Sequence, residues 1–153
     1  MLDRTDKKIL ELLQGDATLN IATLAELVGL STTPCWKRVK RLEEEGYILK
    51  RVALVDRAKV GLKVTIFVSI KTNEHGAEWL ENFARVAATF PEIVELYRMS
   101  GDVDYLMKVV SEDVEGYDRF YKRLIKAVRL TDVSSAFAME QIKYSTELPL
   151  NRD

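Results

Sequence analysis

Two short amphipathic segments separated by only Gly29, Leu30 and Ser31 constrain this chain more than any other feature of its sequence. The upstream segment, from about Asn20 to Val28, sets Leu24, Ala25 and Val28 on one side. The downstream one has Ser31 or Thr33 to cap it and runs to Gly46, with Pro34 in its first turn, where a missing N–H costs nothing. A three-residue link containing glycine predicts a helix-turn-helix. A supporting helix is predicted from Leu2 to Leu13, with Asp3 as cap, Asp6 in the first turn and Ile9, Leu10, Leu12 and Leu13 apolar.

The third helix is two-sided. At 100° per residue Cys35, Val39 and Leu42 form one apolar stripe, while Thr33, Lys37 and Lys40 point the opposite way, flanked by Trp36 and Arg41. Lys37, Arg38, Lys40 and Arg41 crowd into five residues, although the chain as a whole has a net charge of −1. Bulk charge therefore says little about a polyanionic partner, and the local cluster says more. A run of charge is often only a solvated helix face. Here the preceding helix, the glycine turn and the cations near the N-terminal end match what a recognition helix needs to enter the major groove of double-stranded DNA. The candidate DNA-binding residues are Thr32, Thr33, Trp36, Lys37, Arg38, Lys40 and Arg41, with Lys50 and Arg51 as further phosphate contacts. Trp36 equally suits packing against a wing, and Cys35 suits a small core position.

Past Gly46, residues 47–55 are rich in β-branched and aliphatic side chains and read as a strand-like wing or linker, with charged Asp56, Arg57 and Lys59 beyond them. Residues 64–71 alternate as a half-buried strand. A helix from about Ala77 to Phe90, strands at Ile93–Met99 and Tyr105–Val110, a helix over about Val114–Val128 and a last strand over about Val133–Ile142 complete the pattern. The order is βαββαβ, so the fold class is α+β: a winged helix-turn-helix followed by a ferredoxin-like domain. The expected division is residues 1–51 for the helix-turn-helix, 52–62 for a linker and 63–153 for the second domain. Units this small bury a modest share of their surface, which favours self-association.

Both faces of the predicted sheet carry apolar residues. Phe67, Tyr97, Met99, Phe137 and Met139 alternate with Val68, Leu96, Leu106 and Ala138. Two helices cover only one face, so the other is expected to pack on another subunit. A second constellation, Ser100-Gly101-Asp102-Val103-Asp104-Tyr105, joins the middle strands. Carboxylates in a turn are commonplace. Here glycine permits close backbone approach, Asp suits an ammonium and backbone N–H groups suit a carboxylate, which together fit an amino-acid-like zwitterion. The candidate effector residues are Met99, Gly101, Asp102, Asp104 and Tyr105, with Ser134 and Ser135 of the last strand.

One cysteine, Cys35, and one histidine, His75, leave too few ligands of these types for a zinc site, and no cofactor is expected. No apolar run resembles a signal peptide or membrane span, so the chain is expected to be cytoplasmic.

Over essentially its whole length the chain resembles the Lrp/AsnC (feast/famine) regulators. The likeness is carried by Leu2-Asp3-x-x-Asp6-x-x-Ile9-Leu10 and by Leu24-Ala25-x-x-Val28-Gly29-Leu30-Ser31-x-x-Pro34-Cys35-x-x-Arg38-Val39-x-x-Leu42-Glu43. Gly46-Tyr47-Ile48, Ser100-Gly101-x-x-Asp104-Tyr105 and Ser134-Ser135-x-Phe137 complete it. The resemblance implies an amino-acid-responsive transcriptional regulator whose homodimers assemble to octamers, with the effector pocket between dimers. It places DNA contacts on Thr33, Lys37 and Lys40, and effector contacts around Gly101, Asp104 and Tyr105. Residues 32–38 and 137–144 look like a subgroup that includes cysteine-responsive regulators. Some tetrapyrrole-pathway decarboxylases are also similar to this family. Against that alternative, His75 lies in a connector and no carboxylate-histidine pair suggests acid–base work. The remaining alternative is a metabolite-sensing module that no longer meets DNA.

Overall fold

The structure, a computed structural model, describes residues 1–150 and divides into two compact units. The first holds Met1–Leu54 together with the C-terminal segment from Ile142 onward, and the second is Val55–Gln141. Residues 151–153, expected from sequence in the second domain, lie outside the described residues.

The first unit contains α1 (Arg4–Gly15), α2 (Ile21–Val28) and α3 (Thr32–Glu44). Asp3 caps α1 reciprocally: the Asp6 N–H donates to Asp3 Oδ1 at 2.8 Å, and the Asp3 N–H to Asp6 Oδ2 at 3.1 Å. Asn20 caps α2 by accepting from the Thr23 N–H at 2.9 Å. Gly29 ends α2 at φ 70°, and the Leu30 N–H then reaches back to the Ala25 carbonyl at 2.9 Å. This closure turns the chain sharply into α3. Ser31 holds the N-cap position of α3, but its side chain makes no capping bond. Ile9, Leu10, Leu24, Ala25, Cys35, Val39 and Leu42 close the core, so the stripe expected on α3 faces inward.

Two expectations change in this unit. Residues 47–55 form no strand and expose Leu49, Val52, Leu54 and Val55. Their β propensity is real, but a strand needs a neighbour, and none of the described residues pairs with them. The chain beyond Ile142, expected from sequence in the second domain, groups with the helices instead: the Leu148 N–H donates to Gln14 Oε1 at 2.6 Å, and Leu150 packs on the helical core.

The second unit contains β1 (Val64–Lys71), α4 (Ala77–Ala87), β2 (Ile93–Arg98), β3 (Tyr105–Ser111), α5 (Val114–Ala127) and β4 (Asp132–Phe137). The strands pair antiparallel in the order β2-β3-β1-β4. Ile66, Val68, Ile70, Met107 and Val109 of the sheet pack on Phe83, Phe90, Tyr117, Phe120 and Leu124. Both helices therefore cover one face. The last strand stops at Phe137 rather than Ile142, after the Ala138 N–H makes a final bond to the Thr65 carbonyl at 2.9 Å.

The register also corrects the two faces. Leu106 pairs with Ser69 and with Tyr97, which puts it on the uncovered side. Phe137 pairs with Ile66 and meets the Tyr117 ring edge-on at 5.4 Å between centroids, which puts it on the helix side. The uncovered face thus carries Phe67, Tyr97 and Leu106, together with a Lys108–Glu95 ion pair at 2.8 Å. Bonds from Lys108 and from the Tyr97 hydroxyl hold the Glu95 carboxyl below its usual range.

Gly29→Ala tests the turn between α2 and α3. A Cβ at this positive φ is expected to cost about 1–2 kcal/mol, read as a lower urea midpoint. An unchanged midpoint would mean the turn is free to readjust.

Candidate nucleic-acid interface and effector site

Because the apolar stripe of α3 is buried, its opposite side is fixed outward. Thr32, Thr33, Lys37 and Lys40 are exposed there, and Trp36 is half exposed. No ion pair engages Lys37 or Lys40 among the described residues, so both ammonium groups stand available to a polyanion.

Arg38 and Arg41, also expected on DNA, are engaged within the domain. Arg38 Nη1 donates to Asp3 Oδ2 at 2.6 Å and to Asp6 Oδ1 at 2.8 Å, while Arg41 Nη2 meets Asp6 Oδ2 at 2.6 Å. Asp6 is only 1% exposed. Burial pushes its carboxyl up, but the bonds from Arg41, the Asp3 N–H and Arg38 outweigh that and hold it at about 2. The two guanidinium groups therefore fasten α3 to the start of α1 instead of reaching outward. Arg51, expected on phosphate, is similarly engaged by Glu43 at 3.0 Å. Cys35 is fully buried, and burial pushes its thiol up, so it fills the core as the apolar thiol.

The second candidate site is split by the sheet. Gly101 takes φ +114°, which a side chain rarely adopts, and lets residues 100–103 turn tightly. The Met99 N–H donates to the Asp104 carbonyl at 2.8 Å, and the Asp104 N–H to the Ile70 carbonyl at 3.0 Å. One Asp104 oxygen is taken by the Thr72 N–H at 2.8 Å, a bond the sequence did not signal. Met99, Gly101 and Asp102 are exposed at this end. Ser134 joins them from the same sheet end, lying on the uncovered face in one row with Ser69, Leu106 and Tyr97. Tyr105 and Ser135 do not. Tyr105 is 5% exposed and packs against Trp79 and Phe83 on the helix side. Ser135 points the same way, and its hydroxyl bonds the Tyr117 hydroxyl.

The residues that sequence reasoning missed as working parts are Asp6, Thr72 and Glu95. Asp6 carried a usable signal in its place three residues after the cap, whereas its pairing with Arg38 and Arg41 of α3 had none. Among the described residues no group of three or more His, Cys, Asp or Glu side chains is placed to hold a metal ion.

The chain is similar to known proteins along most of its length. A family model for a winged helix-turn-helix DNA-binding domain matches residues 2–48, and one for the Lrp/AsnC ligand binding domain matches residues 65–148. The chain is 54% identical over 151 residues to the DNA-binding transcriptional activator DecR of Escherichia coli strain K12, covering 98% of this chain and 99% of that one. It is 50% identical over 149 residues to the glutamate uptake regulatory protein of Zymomonas mobilis, covering 97% and 91%. Among solved structures, an AsnC family transcriptional regulator from Agrobacterium tumefaciens superposes with a TM-score of 0.94 at 62% identity, covering 97% of each chain. A transcriptional regulator from Neisseria meningitidis, solved as an L-Met complex, superposes at 0.93 with 32% identity, covering 99% and 98%.

The Asp6 network makes a pH-dependent contribution with a definite sign. The folded carboxyl titrates near 2 and the free one near 3.8, so the stabilisation is complete above about pH 5 and is lost as pH falls through 2. Asp6→Asn is expected to lower unfolding free energy at neutral pH by about 2 kcal/mol, since the partly exposed arginines can rehydrate, and to flatten the acid limb of stability against pH. Urea unfolding from pH 2 to 7 checks this; an unaltered acid limb in the variant would contradict it.

Proposed function

This chain belongs to the Lrp/AsnC family of DNA-binding transcriptional regulators, and we propose that it reads duplex DNA through Thr33, Lys37 and Lys40 of α3 under the control of a small amino-acid effector. The observation that carries the reading is the division of labour on α3. Its apolar stripe is buried and two of its cations are tied to α1, yet Lys37 and Lys40 stay exposed without ion-pair partners among the described residues. The family consists of regulators and not of enzymes.

In this proposal residues 1–51 read DNA, 52–62 link, and the sheet domain over 63–141 senses and assembles. Phe67, Tyr97 and Leu106 on the uncovered sheet face support a homodimer, since a sheet with one bare apolar face gains stability by covering it. Dimers would set two α3 helices roughly 34 Å apart on a pseudo-palindrome and assemble further to octamers. The effector is an amino acid, cysteine or another sulfur-containing or branched one, held near Met99, Gly101, Asp102, Asp104 and Ser134. The L-Met complex of the Neisseria regulator supports that ligand class. No described helix is long and apolar enough to cross a membrane, and a regulator of genes works beside them in the cytoplasm.

Lys37→Ala is expected to cut the preference for cognate over random duplex by about tenfold or more, and Lys40→Ala to weaken both alike and lower the slope of log affinity against log salt by about 1. Filter-binding titrations across salt concentrations read both quantities, and unchanged selectivity in Lys37→Ala would remove that residue from base recognition. Asp104→Ala is expected to abolish any amino-acid-dependent change in sedimentation. A full response in that variant would move the effector site elsewhere.

A further inference from the structure

The second unit contains a cavity of about 560 Å³ that the regulatory reading does not use. Its walls include Glu92, Ser111, Glu112, Arg119, Lys122 and Arg123, and none of the residues at the β2–β3 turn lines it. Its size falls within the range of small-molecule sites.

Three features set it apart from an ordinary surface hollow. Glu92 Oε1 is bonded by Arg123, but Glu92 Oε2 is buried and meets no hydrogen-bond donor among the described residues. A buried carboxylate oxygen without a donor is unfavourable, and a donor brought by a ligand relieves it. Arg119 stands one helical turn before Arg123 on the same wall and makes no ion pair among the described residues. The third feature is Gly116, where a Cβ would lie 2.6 Å from Ser111 Oγ and 3.5 Å from Arg119 Nη2, so a side chain there would push into this wall.

We propose that this cavity is a second ligand site, taking a zwitterion of α-amino-acid size with its ammonium donating to Glu92 and its carboxylate accepting from Arg119. Arg123 is held on Glu92 and over the Phe90 ring, 5.3 Å from its centroid, so it positions the acidic group. Residues 119 and 123 are separated by about 6 Å along the helix, so the unpaired Arg119 lies one turn from the arginine that holds Glu92. A simple anion would leave the Glu92 oxygen unpaired and face Glu112. A simple cation would meet Arg119, the one of the three lining cations that no described acid offsets, since Lys122 is paired with Asp118 and Arg123 with Glu92. Only a ligand with both charges answers both walls.

The test is backbone-amide NMR on the full chain titrated with each of the twenty L-α-amino acids, with propionate and ethylamine as single-charge controls. At least one amino acid is expected to shift the Glu92, Ser111 and Gly116 amides saturably, and neither control to do so. Glu92→Gln and Arg119→Gln are each expected to weaken that binding at least tenfold, while Asp104→Ala leaves it intact. The proposal fails if no amino acid moves these amides, if a control moves them as strongly, or if both variants bind as well as the parent. Persistence of these shifts alongside an unaltered sedimentation response in Asp104→Ala would support this site and remove the β2–β3 turn alone.

Discussion

Asp6 is one carboxylate with two tasks, and the orientation of the reading helix depends on it. Its oxygens take the Asp3 N–H at the start of α1 and the guanidinium groups of Arg38 and Arg41 from α3. An almost fully buried carboxylate is tolerated only when its bonds outweigh the loss of water, and those bonds are directional. The result is a fixed rotation of α3 about its own axis: Cys35, Val39 and Leu42 turn inward, and Lys37 and Lys40 outward. Four neighbouring cations are therefore placed in two ways, two in ion pairs with α1 and two exposed to solvent.

The second unit obeys a comparable logic at the level of the sheet. Every strand residue must choose between the helix-covered face and the bare one, and the register makes the choice. Aromatic side chains Phe83, Tyr105, Tyr117 and Phe120 fill the covered side, while Phe67, Tyr97 and Leu106 stay bare beside the Glu95–Lys108 pair. In the proposed dimer the apolar surface would supply burial and the charged pair set into it would supply register.

Much of this was legible in the sequence where one periodicity dominated. The stripe on α3, the glycine turn before it and the βαββαβ order all come from spacing alone, because burial enforces 3.6 or 2.0 residues per repeat. What was not legible depended on contacts between elements. Arg38 and Arg41 look like their neighbours Lys37 and Lys40 until α1 brings Asp6 against them. Leu106 and Phe137 sit in strands with apolar residues on both sides, where alternation separates two faces without naming which is covered. Tyr105 and Ser135 were expected beside Asp104 from the turn motif, the hydroxyls of the last strand and the resemblance, and the pleat turns both to the helix side. The segment 47–55 had the residues of a strand without a neighbour to pair with.

The most direct test of the division of labour on α3 is residue-resolved chemical footprinting of the full chain, free and bound to its duplex, with a lysine acylating reagent and an arginine-selective dicarbonyl. The account predicts that Lys37 and Lys40 react readily in the free protein and become protected on DNA, while Arg38 and Arg41 react slowly in both states. Lys37 and Lys40 equally reactive in both states, with Arg38 and Arg41 protected only when DNA is bound, would contradict it.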